Sequence, residues 1–364
     1  MQLSVGEILS RITTVPDMVR AFQDEGHCRR LLEAMVWPNG RICPSCGYRR
    51  SIALTDRESG KRARPGLYQC SSGTCRFQFT VTTRTPLHAT KLPLRVWLSG
   101  LWLMLQSDKG ISSIRLAEAL GVSQPTAWRM GHALRLMVGR EQALDGVVEI
   151  DGLYVGGKPR WDRNNSPPGR GRKGQPKAQK TPALVAVQRP PDVSVGAPSD
   201  EVRAAVIQDL SGSETDRVLT EAVDPNAHLM SDEWKAFVSL GSAFAAHDTV
   251  HHKAREYACG PVHINSAEGF NDRIRRTVSG VFHHISPHHA DLYFNKIGFR
   301  WSQRVVTGQA PRRTRKGRPV IKTLWARIPP ALQLPAVFRF AIGREMRRTK
   351  AGGIDLVSKV AVFG

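Results

Sequence analysis

Three acidic side chains sit where divalent cations could be held: Asp151 in VVEIDGLYVGGK, Asp232 in HLMSDEWKAF and Glu268 in HINSAEGFNDRIRR. Hard cations prefer anionic oxygen, and a pair of them working on a phosphate ester needs about three carboxylates close together. The three acids lie far apart in the chain, each at the edge of an expected element. Only tertiary folding can gather them.

A second constellation is made of thiols. Cys43 and Cys46 flank Pro44-Ser45 in CPSCG, and Cys70 and Cys75 flank SSGT. Two short turns that each present two sulfurs suit tetrahedral zinc, with all four positions filled by protein. Such an ion holds a small fold together and leaves no open position for catalysis. No strand-to-helix context surrounds the CxxC, which argues against redox chemistry. Cys28 and Cys259 have no near partner and are expected as free thiols. The histidines His283, His284, His288 and His289 flank Ser286-Pro287 at a helix start, where structural or phosphate-contacting roles fit better than another metal site.

The elements that must position these groups are readable from periodicity. VVEIDGLYV alternates as a strand, with Glu149, Asp151 and Leu153 on one face and Val148, Ile150 and Gly152 on the other. A carboxylate in that run must be paired, hydrogen-bonded or metal-bound. PALVAV, VRAAVIQDL and AHLMSD read as further strands, the last ending at Asp232, and helices are expected at about 214–222, 233–240, 264–278 and 287–303. On the helix near 264–278, Ala267, Phe270, Ile274 and Val278 form one apolar face. Asn265, Glu268, Asp272 and Arg275 line the opposite one, and Arg275 lies two turns beyond Glu268, placed to hold phosphate.

Upstream, residues 111–130 have the layout of a helix-turn-helix. Ile114, Ala117 and Leu120 form one face of the first helix, Gly121 permits the turn, and Ser123 with Pro125 starts the second helix. Gln124, Thr126 and Arg129 are then the residues placed to meet bases, and Arg135 suits phosphate.

The whole chain has 364 residues, enough for two or three domains, with 53 Lys plus Arg against 31 Asp plus Glu and a formal charge of +22. That balance points to nucleic acid. The longest apolar stretch, Trp97 to Leu105, is too short to cross a bilayer, and no targeting segment is expected. Trp97, Trp102 and Trp128 are expected in the core. The expected organisation is a helical segment at 1–35, a zinc ribbon at 36–90, a helical DNA-binding region at 91–140, a catalytic domain at 145–304 and a basic extension of unknown role at 305–364. Residues 158–180 read as a basic, Gly- and Pro-rich loop and 188–200 as a Pro-rich connection between strands.

Taken in order, these motifs resemble a known family. CPSCG with the second Cys pair, TPLHATKLPL, EIDGLYVGGK, SDEWKAF and VHINSAEGFNDRIRR…GVFHHISPHHADLYFNKIGFRW are similar to the DDE transposases of bacterial insertion sequences. The likeness is to the ISXO2-like, fifteen-ninety-five group with an N-terminal zinc ribbon, over roughly residues 20–304. It implies an α/β multidomain chain in which a zinc ribbon and helix-turn-helix precede an RNase H-like mixed sheet with flanking helices. It implies that Asp151, Asp232 and Glu268 are the catalytic acids and bind Mg²⁺ or Mn²⁺. Arg275 falls where the family often has Lys, and His252, His263 and Asn265 take family-like positions. Some relatives use Asn as the third residue, so Asn265 and Asn271 compete with Glu268. Ser302 stands where the family pattern has Asn. The implied activity is metal-dependent cleavage of DNA at the ends of an insertion sequence and strand transfer into target DNA. The implied partners are terminal inverted repeats, target DNA and further copies of the chain, in the cytoplasm on the nucleoid and with no membrane. A catalytically inactive DNA-binding regulator and a nuclease without joining activity are the alternatives.

Overall fold

Capping residues set the helix starts of the N-terminal region. Ser4 opens α1 (Val5–Ser10) and Thr14 opens α2 (Val15–Ala21), each in a reciprocal capping box with Glu7 or Asp17, while Asp24 caps α3 (Glu25–Val36). The computed structural model describes residues 4–54, 65–156, 180–254, 258–313, 317, 319–350 and 354–358. The loop expected at 158–180 lies, except for Lys180, outside the described residues.

Two compact units divide the chain: Met1–Val138 with Ile328–Gly364, and Gly139–Arg327. In the first, β1 (Ser51–Ala53), β2 (Tyr68–Cys70) and β3 (Gln78–Phe79) form a small antiparallel sheet. Tyr68, Phe79 and the edge-on ring of Trp37 pack beside Cys43 and Cys70 as its miniature core. The apolar stretch noted in the sequence is α4 (Leu94–Gln106), and Trp97 and Trp102 are buried on it, as expected. Then come α5 (Ser113–Leu120) and α6 (Gln124–Met137), joined through Gly121 in the left-handed conformation at φ 64°.

The second unit is built on a five-stranded sheet. Its strands are β4 (Val147–Val155), β5 (Thr181–Gln188), β6 (Glu201–Val206), β7 (His228–Asp232) and β8 (Ala246–Val250). The spatial order is β6-β5-β4-β7-β8. β4, β5 and β6 form an antiparallel meander, and β7 and β8 run parallel to β4. A three-strand meander extended by two parallel strands is the mixed sheet of an RNase H-like fold. One face packs under α7 (Gly212–Ala222) and, through Phe237, α8 (Lys235–Leu240). A short hairpin, β9 (Ala258–Cys259) with β10 (Val262–His263), leads into α9 (Asn265–Thr277), followed by α10 (Pro287–Ser302). These two helices cover the other face through Ala267, Phe270, Ile274, Phe294 and Ile297 against Leu153, Val155, Val185 and Val187.

The strand-face assignment of β4 therefore holds. Leu153 is buried with α9 and α10, whereas Val148 and Ile150 are buried with α7. β8 was not expected; AHDTV alternates polar residues too weakly to signal a strand, and it forms by pairing with β7. The basic extension that begins at 305 divides. β11 (Arg304–Arg313) and β12 (Pro319–Arg327) form a two-stranded ribbon in the second unit. In the first unit lie α11 (Pro330–Ala341) and the hairpin of β13 (Arg344–Arg348) with β14 (Ile354–Ser358). Of the run PRRTRKGRP, residues 314–316 and 318 lie outside the described residues. No helix among the described residues is long and apolar enough to cross a membrane.

Candidate active site and metal centre

The four thiols converge. Cys43 Sγ is 3.9 Å from Cys75 Sγ, and Cys46 Sγ is 3.6 Å from Cys70 Sγ. Zinc–sulfur bonds of about 2.3 Å in a tetrahedron put sulfurs about 3.8 Å apart, so the spacing fits the ion without rearrangement. The amides of Ser45 and Ser72 donate to Cys43 Sγ and Cys70 Sγ at 3.4 and 3.5 Å, which stabilises thiolate charge at both turns. Gly47 closes the first turn at φ 75°, where a side chain is strained. Among the described residues this is the group of three or more possible ligands whose donor atoms all lie within 4.8 Å of one another. The histidines 283, 284, 288 and 289 form no such group. Cys28, buried in α3, and Cys259, exposed on β9, are both free.

The carboxylates are gathered by strand register. Glu149 on β4 pairs with Met230 on parallel β7, so two residues further on Asp151 stands level with Asp232 on the neighbouring strand. Residues level on adjacent parallel strands share a face, and the strands are about 4.8 Å apart. This face is the one α9 covers, and Glu268 lies in the first turn of that helix. Electrostatics record the convergence. The carboxyl of Asp151 is pushed up to about 6, first by burial and then by the negative charge of Asp232, with Glu268 adding to it. Hydrogen bonds from Asn271 and the Gly152 backbone oppose the rise without cancelling it. The three acids do not gather as tightly as the sulfurs. A pair of cations about 3.5–4 Å apart spreads its ligands wider than one tetrahedral ion does. Like charges on oxygen donors, held together at a cost in the protein alone, are the donor set a hard cation would satisfy.

One oxygen of Asp232 accepts the amide of Trp234 at 3.0 Å, in the turn between β7 and α8. It does not cap α8, whose N-cap is Trp234. Of the two asparagines that compete with Glu268, Asn265 is exposed. Asn271 is fully buried and donates through Nδ2 to Asp151 Oδ2 at 2.7 Å. Arg275 is exposed on α9 and pairs with Asp272 at 3.2 Å.

Sequence reasoning placed Glu149 on the face of Asp151 but gave it no task. Glu149 is completely buried. It accepts Arg189 Nε at 2.5 Å, the amides of Ser266 and Ala267 at 2.7 and 3.1 Å, and lies 3.3 Å from His263 Nδ1. Burial pushes its carboxyl up, but the bonds from His263 and Arg189 outweigh that and hold it below the usual range. A usable signal was present: an acid inside an apolar strand needs a cation, and Arg189 follows the neighbouring strand directly.

In the first unit, Ser123 caps α6 through the amide of Thr126 at 3.4 Å, and Gln124 and Arg129 are exposed near its start. Gln124 Nε2 donates to Ser113 Oγ, and the Thr126 hydroxyl is 2.8 Å from that of Ser123. Two expectations are corrected. Ile114 is 60% exposed, and the packed stripe of α5 is Leu116, Ala117 and Leu120, because α5 begins only at Ser113 and its first turn faces outward. Arg135 is buried at 6% exposure, since α6 is enclosed from Met130 onward, so it presents no charge to an outside phosphate.

A four-thiolate ribbon, a helix-turn-helix and an RNase H-like mixed sheet carrying Asp151 and Asp232 on neighbouring strands make up the described architecture. Comparison with known families agrees. Residues 143–302 match the ISXO2-like transposase domain and residues 23–78 match the transposase zinc-ribbon domain. Both matches are to domains of insertion-sequence transposases, and they cover separate parts of this chain, the ribbon first and the transposase domain after it. A curated relative, an uncharacterized protein in transposable element ISH50 of Halobacterium salinarum, is 27% identical over 273 residues, covering 72% of this chain and 85% of that protein. Among solved structures, the Mos1 strand transfer complex aligns at 12% identity and TM-score 0.19, over 56% of this chain and 75% of that one.

Proposed function

We propose that this protein binds the ends of its insertion sequence and carries out metal-dependent DNA cleavage and strand transfer at Asp151, Asp232 and Glu268. The observation that carries this reading is the strand register that sets Asp151 level with Asp232, on the face covered by the helix that bears Glu268. Bound Mg²⁺ or Mn²⁺ would polarise the scissile phosphate and lower the cost of forming the attacking and leaving oxygens. The chain's own part is to hold three anionic ligands on one face, two fixed by strand register and one by a helix. Arg275, exposed on α9, would take a neighbouring phosphate. Water as nucleophile yields a cut at the element's end, and the freed 3′-hydroxyl as nucleophile yields joining.

Gln124, Thr126 and Arg129 are the proposed base-reading residues, with Gln124 and Thr126 released from their local bonds when the groove is engaged. The resident zinc keeps the ribbon folded. Joining two ends calls for two or more copies of the chain. The test uses the zinc-loaded protein, a duplex carrying the element's inverted repeat, and Mg²⁺ or Mn²⁺. Cleavage and joining are expected from the wild type. Asp151→Asn and Asp232→Asn should lose both while still shifting the duplex in a gel. A variant that cuts normally overturns the assignment. Cleavage without joining selects a nuclease, and binding without either selects a regulator.

A further inference from the structure

Helix α9 is capped from outside itself. Its N-cap residue is Ile264, which has no polar side chain and makes no capping bond. The orphan amides of Ser266 and Ala267 are taken instead by Glu149, 117 and 118 residues earlier in the chain. A Ser or Asp at the N-cap would satisfy those amides equally well, but it would leave the helix free to slide along the sheet. A cap supplied by β4 fixes the helix to that strand. Four residues beyond Ala267, Asn271 donates to Asp151, so helix and strand are joined a second time. Glu268 lies between the two joints, and Asp151 is two residues from Glu149 on the strand.

We infer that Glu149 is a positioning residue for the metal site: with Asn271, it sets the spacing between Asp151 and Glu268 before any cation binds. This rests on the functional reading above. The surrounding contacts serve the same end. Arg189 holds Glu149 with Nε and reaches the carbonyls of Pro261 and His263, each at 2.7 Å, which ties the β9–β10 hairpin to the start of α9. An apolar residue at 149 would pack against its neighbours but strand two buried amides. The acid costs desolvation, which its four polar partners offset. Groups that orient metal ligands typically change metal affinity by about 10- to 100-fold when removed.

The experiment measures Mn²⁺ binding to the full-length, zinc-loaded protein by calorimetry without DNA, and the Mn²⁺ concentration giving half-maximal cleavage. Glu149→Gln keeps size and one acceptor. The pair Glu149→Leu with Arg189→Met removes both charges together, so that neither is left buried and unpaired, and is the second variant if the single one fails to fold. Asn271→Leu tests the second joint. Each is expected to weaken Mn²⁺ about tenfold, speed hydrogen exchange at Ser266 and Ala267 for the Glu149 variants, and recover most of the wild-type cleavage rate at saturating Mn²⁺. A purely structural role would lower the unfolding temperature and leave the Mn²⁺ midpoint unchanged, and that result overturns the inference. A wild type that shows no Mn²⁺ binding sensitive to Asp151→Asn overturns the functional reading instead.

Discussion

Removing Asp151, the proposed catalytic acid on β4, should make this protein more stable. Asp151 ordinarily titrates at 3.8 and is pushed up to about 6 by burial, by Asp232 and by Glu268. A gap of about 2 units at about 1.4 kcal/mol each corresponds to about 3 kcal/mol of strain in the ionised, cation-free site. The sign follows from proton counting. Because the folded-state value is raised, the folded protein binds the extra proton between pH of about 4 and 6, so stability falls as pH rises through that window and stays reduced above it. Asp151→Asn abolishes the charge and keeps an acceptor for Asn271. The raised value already includes the bond from Asn271, so the net gain is about 3 kcal/mol at pH 7.5. For a domain of this size that is about 6–12 °C in Tm.

The assay is differential scanning calorimetry of the full-length zinc-loaded protein in buffer free of Mg²⁺ and Mn²⁺, across pH 4 to 8. The gain should vanish near pH 4 and plateau above pH 6. Adding Mn²⁺ should stabilise the wild type and not the variant, because the cation binds only the folded, charged site. A variant less stable than wild type at pH 7.5, or a gap that does not change with pH, would refute the claim that burial and the neighbouring acids together penalise the ionised Asp151.

Stripping zinc with a chelator should open the ribbon to protease around residues 65–80 while the 139–327 unit resists; equal resistance with and without chelator would count against the four-cysteine site. Arg129→Ala should weaken inverted-repeat binding and reduce the slope of log affinity against log salt by about 1 if it meets phosphate, or relax sequence preference if it meets a base, and fluorescence anisotropy across salt concentrations separates the two. Phe270 is fully buried on α9, edge-on to Trp301 with ring centroids 5.5 Å apart, so Phe270→Ala should cost about 3–5 kcal/mol in urea unfolding.

Much of the architecture was legible because its signals are local. The caps at Ser123 and Gly121, the alternation of VVEIDGLYV and the apolar stripe of Ala267, Phe270, Ile274 and Val278 each lie within a few residues. What stayed hidden depends on pairing across distance. β8 is a strand because β7 lies beside it, and the strands of the C-terminal ribbon and hairpin form by pairing with each other. Ile114 and Arg135 were misplaced for a related reason. Periodicity says which residues share a face, but only tertiary packing says which face turns inward.

Glu149 shows why a site is harder to read than a fold. Alternation alone set it beside Asp151, yet its task depends on where α9 begins, more than a hundred residues later. The two acids on β4 answer opposite demands. Burial and then the charge of Asp232 raise the Asp151 carboxyl, and Glu268 on α9 adds to the rise. On the inference drawn above, Glu149 and Asn271 hold α9 against β4 while these charges repel, which would link the clamp to the raised carboxyl. If releasing the clamp with Glu149→Gln also moves the Asp151 carboxyl back toward 3.8, as followed by the pH dependence of unfolding, the link holds; if the carboxyl stays near its raised position, the two features are independent.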